Sequence, residues 1–174
     1  MRVTLRDILI TLLLALFIFL MVQVTLESRV VEGSCMEPNF YTGQRLLVNK
    51  ASYWFGEPQR GDVIIFHHPQ EPSRILVKRV IALPGEWVEI RDGRVYINDE
   101  LLVEPYVAEP ANDFYHRTQV PDDCYFALGD NRNHSTDSRS WGVLPRENII
   151  GKVWLRYWPL SDWHVIPSYS YTQD

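Results

Sequence analysis

The chain has 174 residues, which leaves room for one anchor segment and one domain of ordinary size. Its 17 basic and 22 acidic residues give a formal charge of −5, and that balance excludes the basic face a nucleic-acid partner requires. Two cysteines outside any CxxC spacing and five histidines without an i,i+4 pair exclude the familiar zinc arrangements, so no metal is expected.

Residues 8–22 are apolar except Thr11, and Gln23-Val24-Thr25-Leu26 extends the run. At about 1.5 Å of rise per residue, such a helix approaches the thickness of a bilayer's hydrocarbon core. Arg2 and Arg6 precede it, while Glu27, Glu32 and Glu37 follow. The positive-inside bias therefore reads residues 1–7 as a cytoplasmic N-terminus, 8–26 as a single transmembrane anchor, and 27–174 as an extracytoplasmic domain. A cleaved leader is the competing reading, but Gln23-Val24-Thr25-Leu26-Glu27-Ser28 holds no small-x-small site.

Beyond the anchor, short apolar runs alternate with turn residues. Strands are predicted over 29–31, 45–48, 63–66, 75–83, 87–90, 95–97 and 153–158. Asp92-Gly93 between two such runs signals a tight hairpin. Residues 108–123, with Pro110, Asn112, Asp113, Pro121, Asp122 and Asp123, read as irregular. They belong to a loop-rich insertion of approximately 86–123 between two halves of a mainly β domain. Cys124 then opens an apolar run in which it reads as a small core residue, although a Cys35–Cys124 disulfide also stays open.

In Ile75-Leu76-Val77-Lys78-Arg79-Val80-Ile81 both faces of the predicted strand are apolar around a central cation, so one of the two charges is expected to be enclosed. Enclosure disfavours an ammonium ion, and a neutral amine acts as a general base. A lysine snorkelling to solvent is the plainer alternative. Upstream, the turn Glu32-Gly33-Ser34-Cys35-Met36-Glu37-Pro38 sets two nucleophile types side by side. Downstream, residues 129–139 are dense in hydrogen-bonding groups but lack the glycine and terminal glutamate of a calcium loop.

Four segments in this order resemble the bacterial type I signal peptidases. They are Gly33-Ser34-Cys35-Met36-Glu37-Pro38; Arg60-Gly61-Asp62-Val63-Ile64-Ile65-Phe66; Val77-Lys78-Arg79-Val80-Ile81-Ala82-Leu83-Pro84-Gly85-Glu86; and Gly129-Asp130-Asn131-Arg132 through Ser135-Thr136-Asp137-Ser138-Arg139. The resemblance implies an anchored, two-sheet antiparallel β catalytic domain with a small inserted subdomain. It also implies an endopeptidase that removes signal peptides from exported preproteins after a small-x-small motif, without a cofactor.

On that resemblance the general-base lysine falls on Lys78 and the serine that orients it on Ser135. Asp130, Asp137 and Arg139 match positions that hold the last loop together. Gly33 falls where some relatives place an oxyanion-binding serine, which leaves the backbone N–H of residue 35 for that task. Small apolar pockets near Val31, Met36, Leu76 and Val77 would read the substrate, laid beside the 76–78 strand by main-chain hydrogen bonds.

One departure is serious. The nucleophilic serine falls on Cys35, which is either a natural thiol nucleophile, a substituted serine, or the mark of a catalytically impaired relative. Ser34 is a poor substitute, because neighbouring residues of an extended chain point to opposite faces and the Met-x-Pro spacing fixes the register. Asn39, where Thr or Ser is usual, is a smaller departure. The alternative functions are a membrane-tethered binding module on the same scaffold and, more remotely, a sortase-like transpeptidase using His67 or His68, Cys124 and Arg132.

Overall fold

The computed structural model describes residues 4–167 and Tyr169; Arg2 of the basic flank lies outside the described residues. The first element is the helix α1 (Leu5–Thr25). It begins earlier than the apolar run because Thr4 and Asp7 form a capping box: the Asp7 N–H donates to the Thr4 hydroxyl (3.3 Å) and the Thr4 N–H to the Asp7 carboxylate (2.9 Å). None of its residues is buried and its mean hydropathy reaches 2.7, so it is long and apolar enough to cross a membrane.

Strand β1 (Leu26–Val30) continues from α1 without a loop. The remaining strands are β2 (Arg45–Asn49), β3 (Val63–His67), β4 (Ile75–Ala82), β5 (Trp87–Arg91), β6 (Arg94–Ile97), β7 (Glu100–Leu101), β8 (Tyr115–Gln119), β9 (Cys124–Leu128), β10 (Leu144–Pro145), β11 (Ile149–Trp158) and β12 (His164–Val165). They build two antiparallel sheets, one in the order β1-β2-β11-β3-β4-β9-β10 with β12 on β11, the other β7-β6-β5-β8. This is the mainly β, two-sheet architecture expected from the sequence.

Among the elements that differ from expectation, two have a clear physical reason. Strand β8 lies inside the stretch read as irregular, paired with β5 through Trp87↔Gln119 and Val88↔Thr118. It is an edge strand whose side chains are mostly exposed, so its residues carry no apolar alternation. Strand β11 starts at Ile149 rather than 153, because Ile149, Gly151 and Val153 already alternate inward. Gly151 is required there: a Cβ would stand 2.7 Å from the Asn49 carbonyl oxygen of the neighbouring strand.

Strands β3 and β4 are buried on both faces, which is why their sequences run almost continuously apolar. Val63, Ile65 and Val77 join Val31, Met36, Phe40, Leu46, Val48 and Val153 in one cluster. Ile64, Phe66 and Val80 face the opposite way, with Tyr53, Tyr125, Trp141 and Leu144. Ile81, Phe126 and Leu128 meet Val88, Ile90, Val95 and Ile97 of the small sheet.

Beyond β9 the chain crosses back over β4 and is fastened by charge. The Arg79 Nε and Nη2 donate to the two oxygens of Asp130 at 2.8 and 2.7 Å, and the pair is 2% and 1% exposed. Removing one partner of such a pair strands the other charge in the interior. Asp130→Ala should therefore lower stability by about 3–5 kcal/mol in denaturant titrations; a loss below about 1 kcal/mol would show that the loop is held by other contacts.

Candidate active site

After Val31 the chain turns through Gly33, whose φ of +81° is a left-handed conformation that favours glycine. The turn is closed by the Glu37 N–H on the Ser34 carbonyl (3.1 Å) and by the Asn39 and Phe40 N–H groups on the Met36 carbonyl (3.0 and 2.9 Å). Met36 and Phe40 are sunk in the core beside Val31. The apolar anchors on either side leave Cys35 half-buried, at the edge of β4.

That edge is available because β4 pairs with β9 only from Arg79 onward, through Arg79↔Leu128 and Val80↔Ala127. Alongside residues 75–78 the sole paired neighbour among the described residues is β3. Lys78 shares its strand face with Leu76 and Val80, yet its side chain reaches round the edge. Its Nζ lies 3.0 Å from the Cys35 Sγ and 3.0 Å from the Val77 carbonyl oxygen, which is itself 3.9 Å from Sγ. Lys78 is 1% exposed, and no carboxylate bonds to it among the described residues. As a neutral amine it can take the Sγ proton while keeping an N–H on Val77; as an ammonium it can hold a thiolate in place.

Ser135 makes no hydrogen bond to Lys78 in this structure, and its Oγ is a buried atom with no partner among the described residues. It presses on Gly129, where a Cβ would come within 2.2 Å of the Ser135 Oγ and 2.4 Å of the Cys35 carbonyl oxygen. Gly33 offers only open space where a side chain would stand, and its carbonyl accepts the Thr42 hydroxyl at 3.0 Å. The Cys35 N–H donates to no backbone carbonyl among the described residues.

Asp137 is fully buried and caps the short helix α2 (Ser138–Trp141). It accepts the Gly129 N–H (3.1 Å) and the Arg139 Nε and Nη2 (2.8 Å each). Arg139 also donates to the carbonyls of Arg132 (2.6 Å) and Ser135 (3.4 Å) and to Asp113 (2.8 Å). Burial works against the Arg139 charge, but its bonds to Asp137 outweigh that and raise its pKa above the ordinary guanidinium value.

Of the residues expected to meet substrate, Val31, Met36 and Val77 gather in the cluster on which Cys35 packs. Leu76 lies on the opposite face, against the Phe66 and Val80 cluster. Both cysteines are free thiols. Cys124 packs beside the inter-sheet core, and burial pushes its thiol pKa up. The residues of the transpeptidase alternative hold separate partners: His67 the Pro72 carbonyl (2.7 Å), and Arg132 the Glu104 carboxylate (2.9 Å).

Several contributors were given no structural role from the sequence. Asn39 donates to Asp130 (2.9 Å) and to the Tyr106 carbonyl (2.7 Å), so the amide replaces the usual hydroxyl with two donors. Tyr106 covers the Arg79 guanidinium at 4.0 Å. Asn131 donates its N–H to the Cys35 carbonyl (3.0 Å) and its Nδ2 to the Ser34 carbonyl (3.1 Å). The polar density of residues 129–139 was the available signal for Asn131, but Glu104 and Tyr106 lie in the insertion and carry no local mark.

A nucleophile-bearing turn beside a buried amine, at a strand edge open to an extended chain, is the arrangement of a peptidase. Residues 4–158 match the family described as signal peptidase, peptidase S26. Over 152 residues the chain is 41% identical to a probable signal peptidase I-1 of Synechocystis sp., covering 83% of this chain and 78% of that protein. It is 44% identical over 142 residues to a signal peptidase I of Leptolyngbya laminosa, with 78% and 70% covered. The crystal structure of a signal peptidase I from Enterococcus faecalis superposes with a TM-score of 0.52 at 36% identity, covering 56% of this chain and 97% of that one. The chain belongs to the signal peptidase, peptidase S26 family, and removal of signal peptides is the activity that membership carries.

The crowding at Gly129 gives a direct test. Gly129→Ala must displace either Ser135 or the Cys35 carbonyl, so peptide cleavage should fall about tenfold or more, because small displacements at a reacting centre cost that much. Kinetics on a preprotein peptide read this, and a fully active Gly129→Ala enzyme would mean that the loop is not held against the Cys35 turn.

Proposed function

We propose that this chain cleaves exported preproteins with the Cys35 thiol as nucleophile and Lys78 as general base. The carrying observation is the 3.0 Å contact between the Lys78 Nζ and the Cys35 Sγ in a site where, among the described residues, Lys78 has no carboxylate partner. Lys78 takes the thiol proton as sulfur attacks the scissile carbonyl carbon, and the oxyanion forms against the Cys35 N–H. The Lys78 ammonium gives its proton to the departing amine as the C–N bond breaks, leaving a thioester on Cys35. Water, deprotonated by Lys78, then attacks the thioester, and the thiolate leaves and is reprotonated.

Proton accounting supports the positioning role of Ser135. An ammonium has three N–H donors, and the bonds to Cys35 and Val77 occupy two. The buried Ser135 Oγ is an acceptor with nothing on it. Asp130, Asp137 and Arg139 hold the loop that carries it. The substrate adds as a strand along the free edge of β4, where the Val77 carbonyl faces the site. Val31, Met36 and Val77 form the apolar floor beneath its small side chains, and Leu76 acts from the other face.

The helix α1 is proposed to span the bilayer with the N-terminus in the cytoplasm, the domain lying outside on the membrane. The Lys50 N–H donates to the Thr25 carbonyl (2.8 Å), which brings the following turn to the end of the helix. In that turn Phe55 is 98% exposed and Trp54 51%, suiting them to the membrane interface. Trp154 and Trp158 are also exposed, but Trp158 pairs opposite Arg45, at the end of β2 farthest from the helix.

Cys35→Ala should abolish cleavage and Cys35→Ser should raise it, because a thiolate leaves the tetrahedral intermediate more readily than an alkoxide and returns it to substrate. Alkylation should silence the parent but not the Ser form. Cleavage by Cys35→Ala together with its loss in Ser34→Ala would move the nucleophile to Ser34. Separately, Lys78→Arg should be inactive, since a guanidinium keeps its proton, and Ser135→Ala should lose turnover with little loss of stability. Parent-like rates in both variants would remove the amine base from the mechanism.

A further inference from the structure

Residue 131 holds two successive carbonyls of the nucleophile turn. Its N–H meets the Cys35 carbonyl at 3.0 Å, and its Nδ2 meets the Ser34 carbonyl at 3.1 Å. A peptide group is planar and trans, so its N–H points opposite to its C=O. Holding the Ser34 oxygen therefore aims the N–H of Cys35, and holding the Cys35 oxygen fixes the next peptide plane. With both planes fixed, the Cα–Cβ bond of Cys35, and the sulfur beyond it, has one direction. A single residue sets both the attacking atom and the donor that meets the oxyanion.

The amide of Asn131 is oriented in turn. Ser34 offers only a carbonyl acceptor there, so Nδ2 must face it and Oδ1 must face away. Oδ1 lies 3.2 Å from the Nδ1 of His134, whose own backbone N–H donates to the Asn131 carbonyl at 3.1 Å. Because Oδ1 only accepts, His134 presents a protonated Nδ1. A flipped amide would set oxygen against the Ser34 oxygen, a repulsive contact in place of a bond, and the Nδ1–H on Oδ1 adds to the preference for the orientation seen.

We infer that Asn131, oriented by His134, is a positioning residue that aims both the Cys35 sulfur and the Cys35 N–H at the scissile carbonyl. The inference rests on the reading of Cys35 as the nucleophile. Neither side chain takes a proton from substrate; they act through the two carbonyls.

The test uses the full chain in detergent and a preprotein peptide that the parent cleaves. Asn131→Ala should lower kcat about tenfold or more with KM within about twofold, as expected when alignment rather than binding is lost. Its melting temperature should move by less than about 4 °C. His134→Leu should also slow the enzyme. His134→Asn should recover the lost rate, because the asparagine Nδ2 stands where the histidine Nδ1 stood. His134→Leu added to Asn131→Ala should cost nothing further. The rate of Cys35 alkylation by iodoacetamide, read by mass spectrometry, should follow the same order. The His134 pair lies on an exposed residue and keeps the test open if Asn131→Ala fails to fold.

An unchanged kcat in Asn131→Ala, a rise in KM alone, or a His134→Asn enzyme as slow as His134→Leu would each overturn the inference. Cys35→Ala and Lys78→Arg run in parallel separate the two failures. If they are silent while Asn131→Ala is parent-like, only the positioning role is lost; if they cleave, the nucleophile reading itself has failed.

Discussion

Two cations stand side by side on β4 and meet opposite fates because of one carboxylate. Arg79 and Lys78 are 2% and 1% exposed, so both are enclosed, where the sequence pattern had called for one. Burying an unpaired charge costs several kcal/mol. A guanidinium cannot shed its proton, so Arg79 depends on the two oxygens of Asp130 and on the face of Tyr106. Lys78 is turned by the strand away from Asp130 to the other face, where its Nζ meets the Cys35 Sγ and the Val77 carbonyl. The carboxylate that stabilises Arg79 is thereby kept off Lys78. Asp130 also takes the Asn39 amide, so the same atom group ties the loop after β9 to the turn that carries Cys35.

The contact between Lys78 and Cys35 depends on a missing strand pair. Had β9 run on beside residues 75–78, a neighbouring backbone would take the Val77 carbonyl and fill the gap through which Lys78 reaches Cys35. Instead β9 leaves β4 at Leu128, and the chain after it folds into a loop fastened by Asp130, Arg132, Asp137 and Arg139. Those side chains make charge-assisted bonds, which are stronger than neutral ones and demand fixed geometry. The free edge stays free because its would-be cover is fastened elsewhere.

Much of this was legible in the sequence for a physical reason. The doubly buried β3 and β4 announce themselves as unbroken apolar runs, and the Asp92-Gly93 turn appears with both residues at positive φ between paired β5 and β6. The lysine was conspicuous as a cation with apolar neighbours on both faces. What the sequence hid depends on contacts between distant segments. Glu104 meets Arg132 and Tyr106 covers Arg79 only after the small sheet has formed, and β8 joins that sheet through backbone bonds that leave no periodicity. The placement of Leu76 away from Val77 follows from strand alternation, whereas the resemblance had grouped them beside the substrate.

Strand register also relates the site to the anchor. Leu26, the first residue after α1, pairs with Asn49; Asn49 pairs with Lys152, Lys152 with Ile64, and Ile64 with Lys78. Lys78 therefore stands in the same row of the sheet as the end of the helix, four strand spacings across, or about 19 Å at about 4.8 Å each. Following the antiparallel directions along that row, residues 75–77 lie on the helix side of it and Arg79–Ala82 beyond. With α1 spanning the bilayer as proposed, the free edge of β4 opens toward the membrane surface. A preprotein whose own apolar segment lies in that bilayer would emerge directly onto residues 75–77 and reach the amine within a few extended residues. The missing strand pair thus leaves an edge exposed on the helix side of that row.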